Sequence, residues 1–239
     1  MSPSSTTVQP PSTTATPNTW EKLWRGSGVS AVALFIVGYF VFGSLPRIGA
    51  PADTVVAFYA NHHTRILLAA VFFGLGGVLN LMWFAAAIRG TLREAGQAGW
   101  GAAATASSAA LGGVFFVLIA VTAALAHSIA GSGNGVGALT SGLNDLVWAG
   151  VVMSSFPRAM LIMAGSFGLW RAGIISNGLF GAGVAAVVLG VAGGTTWMSS
   201  GFWAPDGLYA RLIWPIIGLV WILVVSGVLK RVPATRGEW

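Results

Sequence analysis

The stretch LVWAGVVMSSFPRAMLIMAGSFGLW, residues 146–170, is apolar over a length that matches the hydrocarbon core of a bilayer. Its middle nevertheless holds a proline and an arginine, Pro157 and Arg158. An arginine at that depth is costly, and it usually faces the interior of a helical bundle or a water-filled cavity. The stretch therefore predicts a membrane-embedded bundle of helices that encloses a cation.

The composition of the whole chain agrees with a membrane protein. Of its 239 residues, 55% are hydrophobic and only 8% are charged, whereas a soluble domain carries about 25% charged residues. The mean hydropathy is +0.79. The net charge of +6 comes from basic residues that stand singly between apolar runs, and without a basic stripe we exclude nucleic-acid binding. The absence of cysteine excludes disulfides and thiolate metal sites.

Six apolar runs predict the fold class, which is all-α: a polytopic bundle of six transmembrane helices. The predicted spans are residues 29–45, 66–88, 102–126, 146–170, 174–196 and 212–229. We divide the chain into a disordered cytoplasmic tail and interfacial anchor (1–25), the membrane domain (26–231) and a cytoplasmic tail (232–239). The first run also resembles a signal peptide, with Ala50-Pro51-Ala52 after it, but the five runs that follow favour an uncleaved helix.

Two connections have a pattern of their own. Asp53 is a good N-cap, and Val55, Val56, Phe58 and Tyr59 form an apolar face after it. They predict a short interfacial helix on the outer side. The glycine-rich residues 131–142 predict a mobile loop.

The basic residues predict the orientation, because cytoplasmic loops carry an excess of Lys and Arg. With the N-terminus inside, the cytoplasmic set is Lys22, Arg25, Arg89, Arg93, Arg171, Lys230, Arg231 and Arg236, and the outer set is Arg47, Arg65 and Arg211. We therefore expect a multi-pass protein of the plasma (inner) membrane with both termini in the cytoplasm.

Arg158 is the leading candidate for a binding residue. Ser154 and Ser155 lie on the same side of its helix, and Pro157 removes the backbone donor that would pair with the Met153 carbonyl. Asn80 is predicted at a similar depth, about 20 Å along another span that enters from the same side. No carboxylate lies at this depth, so the cation needs carbonyls, amides, water or an anionic ligand. The alternative is a structural arginine that binds free carbonyls and Asn80.

A second group of polar residues lies at the predicted outer rim. It contains His62, His63, His127 and Asp145, residue types that can bind a transition metal or act as an acid and a base. Their spacing matches no metal motif, so we predict no tight metal site and no cofactor. Tryptophans near the predicted span ends, Trp214 among them, indicate an aromatic belt. Closely spaced glycines such as Gly190 and Gly194 predict close helix packing.

Two long stretches carry a family resemblance. They are AFYANHHTRILLAAVFFGLGGVLNLMWFAAAIRGTLREAG, residues 57–96, and MLIMAGSFGLWRAGIISNGLFGAGVAAVVLG, residues 160–190. Their order resembles small polytopic membrane proteins of actinobacteria, including the DUF4386 family. The resemblance implies six helices in a bacterial plasma membrane, and it implies no activity.

Three classes of function follow from these residues. The first is the binding or transport of a small ligand, an anion or a lipid head group, at a central site made of Arg158, Ser154, Ser155 and Asn80. The second is an accessory or scaffolding subunit that packs small-residue faces against another membrane protein or a second copy. The third is an outer-face enzyme that uses the histidines and Asp145. The first class requires a cavity that reaches Arg158, whereas the second requires none.

Overall fold

A computed structural model describes residues 23–132 and 137–232. The regular secondary structure of this part of the chain is all helical, and it holds no β-strand. The α-helices are α1 (Ser27–Phe42), α2 (Ala52–Phe73), α3 (Leu81–Glu94), α4 (Ala98–Ser132), α5 (Gly137–Met153), α6 (Ser155–Arg171), α7 (Asn177–Gly193) and α8 (Trp214–Leu229). Two π-helical segments, Gly74–Asn80 and Tyr209–Ile213, lead into α3 and α8.

Four described helical stretches are long and apolar enough to cross a membrane. They are Ala52–Glu94, Ala98–Ile129, Gly137–Arg171 and Tyr209–Leu229. The two remaining apolar helices, α1 and α7, have 16 and 17 residues. At a rise of 1.5 Å per residue they are about 24–26 Å long, slightly less than the hydrocarbon core. The chain thus has the features of an integral membrane protein.

The main core joins α3, α4, α6, α7 and α8. Its largest fully buried side chains include Phe84, Ile162 and Trp214. Small residues permit the close approach of these helices: a Cβ at Gly165 would lie 2.7 Å from the ring of Trp221. The predicted role in helix packing is confirmed for Gly190 and Gly194, where a Cβ would overlap the rings of Trp214 and Phe156.

A second core lies between the N-terminal part of α2 and the C-terminal part of α4. It consists of Val55, Tyr59, Ile66, Leu125, Ala126 and Ile129. The turn that connects α1 to α2 is held beside it: Trp148 Nε1 donates to the Pro46 carbonyl at 2.7 Å, and the Gly49 amide donates to Asp145 Oδ1 at 2.9 Å. The turn between α1 and α2 is therefore fixed relative to the middle of α5.

The segment predicted as a separate interfacial helix is continuous with the next span. Helix α2 runs from Ala52 to Phe73 with a kink at His62, whose φ and ψ are −124° and 16°. The predicted N-cap was wrong, because Pro51 is the N-cap and Asp53 lies in the first turn, where its carboxylate accepts from the Thr54 amide at 2.7 Å. Val55 and Tyr59 pack into the second core.

The predicted loop at residues 131–142 was also too long. Helix α4 extends to Ser132 and α5 begins at Gly137. Burial of Thr140 and Asn144 in the bundle outweighs the low helix propensity of the glycines. Residues 133–136 lie outside the described part, as do the predicted disorder of residues 1–19 and the tail at 233–239.

Candidate ligand-binding cleft

The long apolar stretch at residues 146–170 is interrupted beside Arg158. Helix α5 ends at Met153, α6 begins at Ser155, and Pro157 lies in the first turn of α6. The Ser154 amide still donates to the Gly150 carbonyl at 2.8 Å, and the Arg158 amide donates to the Ser154 carbonyl at 3.2 Å. Helical hydrogen bonds thus continue on both sides of Ser154, and Arg158 follows that residue by one turn.

The guanidinium of Arg158 contacts one hydroxyl and two aromatic rings. Its Nη2 donates to Ser154 Oγ at 3.0 Å. Its central carbon lies 5.5 Å from the ring centre of Trp214 and 6.0 Å from that of Phe115, within the range of a cation–π interaction. The aliphatic stem passes Gly218, where a Cβ would lie 3.0 Å from the Arg158 Cδ. Residues of α4, α5 and α8 together position this cation.

Arg158 lines a cleft of about 480 Å³ between α1, α4, α5 and α8. The lining is almost entirely aliphatic and aromatic, and its polar members are Tyr39, Thr122, Ser154, Arg158 and Arg211. Arg211 lies at the end of the cleft where α8 begins, and its Nη2 donates to Ser44 Oγ at 2.9 Å. Arg158 meets α8 farther along, beside Trp214 and Gly218, and the remaining lining is almost entirely apolar.

A second cavity, of about 40 Å³, adjoins the other side of Arg158. Gly76, Gly77 and Trp221 line it. The glycines belong to the first π-helical segment, and the second π-helical segment brings Arg211 to the large cleft. Proline at position 215 lacks the amide that would pair one turn back, which favours a widened turn before α8. Both irregular segments thus adjoin the space around Arg158.

Arg158 has no acidic partner within the described residues. Their carboxylates are Asp53, Glu94, Asp145 and Asp206. Asp145 accepts from the Gly49 amide, and Asp206 lies 3.9 Å from Arg47 on the surface. A partly buried guanidinium with no carboxylate beside it favours the binding of an anion.

The predicted site residues lie in three different places. Ser154 contacts Arg158, as the spacing of four residues predicts. Ser155 faces α7 instead, because a Cβ at Gly193 would lie 3.1 Å from its Oγ. Asn80 turns towards α1 and its own segment: its Nδ2 donates to the Leu75 carbonyl, and its Oδ1 accepts from Ser30 Oγ, both at 2.7 Å. Neither Ser155 nor Asn80 lines the two cavities.

The sequence pattern did not indicate the aromatic partners of Arg158. Trp214 was assigned to the aromatic belt because it lies near the end of a span, but it is only 1% exposed and packs beside the arginine. Phe115 and Gly218 gave no signal of their own. The proline after Trp214 was the available signal, since a proline inside an apolar run indicates an irregular helical turn.

The histidines have separate local contacts. His62 Nδ1 lies 2.9 Å from the Phe58 carbonyl, His63 Nε2 lies 3.0 Å from Thr64 Oγ1, and His127 is exposed on α4. Within residues 23–132 and 137–232, no group of three His, Asp or Glu side chains is placed to hold a metal ion.

Comparisons with protein-family models, with curated proteins and with solved structures give no match for this chain.

Proposed function

We propose that this membrane protein binds or transports a small anionic ligand or lipid head group, and that Arg158 pairs with its negative charge. The observation that carries the proposal is the cleft itself: it reaches a guanidinium that has no carboxylate among the described residues. The scaffold alternative requires a bundle without such a cavity. The outer-face enzyme requires histidines and an aspartate that converge, whereas Asp145 and the histidines have separate contacts.

The energetics of Arg158 support a ligand rather than a structural role. An arginine at the centre of a membrane helix costs about 2.5–3.5 kcal/mol on insertion scales. A structural arginine would offset this cost by satisfying backbone carbonyls, but this guanidinium bonds a hydroxyl that already donates to the Val151 carbonyl at 2.7 Å. Most of its five donors are thus available to a ligand in the cleft.

We further propose six crossings of a bacterial plasma membrane, with both termini in the cytoplasm. Residues that flank α1 and α8 are bonded at both ends of the two helices: Arg211 donates to Ser44 at the outer end, and Arg25 Nη1 donates to the Leu229 carbonyl at 3.2 Å at the inner end. Because α8 is long enough to cross a membrane, α1 beside it crosses as well. The kink at His62 supports an interfacial position for the first turns of α2, since the 43 residues of Ala52–Glu94 extend about 64 Å, twice the hydrocarbon core.

Thermal unfolding of the purified protein tests the site. We expect Arg158→Met to leave the melting temperature level or higher, because replacing a buried ionic group by an apolar one of similar length is often neutral or stabilising. Arg158→Lys keeps the charge and loses the planar fork. A panel of organic anions, each paired with its neutral analogue, should include one that stabilises the wild type, stabilises Arg158→Lys less and leaves Arg158→Met unchanged. A lower melting temperature for Arg158→Met without any anion effect would contradict the proposal.

A further inference from the structure

The cleft at Arg158 opens sideways between α1 and α8. At the inner end these helices touch, because a Cβ at Gly28 would lie 3.0 Å from Ile222. Farther out both helices line the cleft, α1 with Ile36 and Phe40 and α8 with Ile216 and Val220. Phe40 is 77% exposed and Val220 is 52% exposed. The two helices therefore separate towards the outer side, and the gap faces the lipid of the outer half of the membrane.

The walls of this gap match a hydrocarbon chain. Between Arg158 and Arg211 the lining consists of aliphatic and aromatic side chains apart from Tyr39, Thr122 and Ser154. A hydrophilic ion would lose its hydration there with few polar groups to replace it. A hydrocarbon chain would instead place its apolar surface against apolar walls. The volume of about 480 Å³ lies within the range of roughly 300–1,000 Å³ that is usual for ligand pockets.

The length of the cleft is sufficient for a hydrocarbon chain. Its lining on the α8 side extends from Ala210 to Leu223, which corresponds to about 20 Å at the helical rise of 1.5 Å per residue. The hydrocarbon core of a bilayer is about 30 Å thick, so the cleft spans about two thirds of it.

The guanidinium of Arg158 determines the charged group. It presents donors in a planar fork that binds one carboxylate with two parallel hydrogen bonds. Arg211, the other arginine of the cleft, donates to Ser44, so a doubly charged phosphate at Arg158 would be paired with one cation only. We infer that the ligand is a single-chain carboxylate amphiphile that enters sideways from the outer leaflet, with its carboxylate on Arg158. The inference rests on the proposed function and names its ligand class.

The test uses the full-length protein in phosphatidylcholine nanodiscs and follows its melting temperature. The probes are palmitate, its neutral counterpart hexadecanol, the short-chain carboxylate hexanoate, and phosphatidylglycerol as a two-chain anionic lipid. We expect palmitate to raise the melting temperature of the wild type and of Arg211→Met, and to leave Arg158→Met unchanged. Hexadecanol, hexanoate and phosphatidylglycerol should have little effect. Leu219→Trp, which fills the cleft, should remove the palmitate effect, whereas Val188→Trp, at an exposed site on α7 outside the cleft, should retain it.

The outcomes separate this inference from the proposed function. Stabilisation by hexanoate or phosphatidylglycerol as strong as that by palmitate, and lost in Arg158→Met, overturns the inference and keeps an anion site at Arg158. A palmitate effect that survives in Arg158→Met, or that is lost only in Arg211→Met, overturns both. An equal effect of hexadecanol shows that the chain alone binds and also overturns both, as does the absence of any probe effect together with a lower melting temperature for Arg158→Met.

Discussion

Two buried tryptophans of α8 differ in how their indole N–H groups are satisfied. Trp221 Nε1 donates to Ser166 Oγ at 3.0 Å across the interface between α8 and α6. Trp214 Nε1 has no partner within the described residues, and its ring lies near the Arg158 guanidinium. Trp221 therefore connects α8 to α6 through a hydrogen bond, whereas Trp214 contributes its aromatic face to the candidate site.

The Trp221 hydrogen bond gives a prediction at this scale. Ser166→Ala should lower the free energy of unfolding, because it leaves a buried indole N–H unpaired at a cost of roughly 1–3 kcal/mol. Ser107→Ala is the matched control: Ser107 is also buried, but its hydroxyl donates to the Ala103 carbonyl one turn back in the same helix. Thermal unfolding in a neutral detergent compares the two variants. Equal losses would show that burial of the serine, and not the bond to α8, sets the effect.

Single residues of the site were predictable where the signal is local. Arg158 stands out because an arginine within an apolar run is costly, and Ser154 follows from the spacing of four residues on a helix. Trp214 and Phe115 are far from Arg158 in the chain, and nothing in the local pattern specifies which helices meet. Asn80 was expected near Arg158 from depth alone, but depth does not fix the direction in which a side chain points, and Asn80 faces Ser30.

At the scale of the helices, the packing of α7 against α8 depends on Gly190. A Cβ there would overlap the ring of Trp214 and would lie 2.9 Å from the Ala159 Cβ. Trp214 is in turn one of the two rings beside the Arg158 guanidinium. A change of α7 is therefore transmitted to the candidate site through one side chain.

We expect Gly190→Ala to destabilise the protein by roughly 1–3 kcal/mol, the usual cost of an added methyl group in a well-packed core. The same substitution at Gly181 of α7, where a Cβ meets nothing within 4 Å, should be neutral or stabilising by up to about 1 kcal/mol because alanine favours the helix. The melting temperatures of the two variants measure the difference. If both were equally stable, the contact between Gly190 and Trp214 would not limit the packing of α7.

The existence of the helices was predictable from apolar runs, but their irregular parts were only partly so. Pro157 indicates the break between α5 and α6 because proline cannot donate to the preceding turn. The π-helical segment Gly74–Asn80 left no comparable signal. Its Gly76 packs so closely on α1 that a Cβ would lie 2.9 Å from the Ala31 carbonyl oxygen. That contact is a property of two helices together, and one sequence segment does not contain it.

At the scale of the whole molecule, the question is whether α1 and α7 cross the membrane with the four longer helical stretches. Both are apolar, but with 16 and 17 residues they are shorter than the four longer stretches. Contacts at one end of the bundle nevertheless favour a crossing by both helices. Residues of the turn after α1 meet residues that precede α8, through the bond from Arg211 to Ser44 and the approach of Arg47 to Asp206.

These contacts lead to a test of topology. If only the four long stretches crossed, the turn after α1 and the start of α8 would lie on opposite sides of the membrane, and both termini would be periplasmic once Gly96 is cytoplasmic. With six crossings the two regions share the outer side, as their contacts require, and both termini are cytoplasmic. Reporter fusions after Gly96 and Arg171 should therefore read cytoplasmic, and one within residues 131–142 periplasmic, in either arrangement. The C-terminal fusion separates them: we expect a cytoplasmic signal, and a periplasmic signal there would leave α7 outside the membrane and refute the six-span topology.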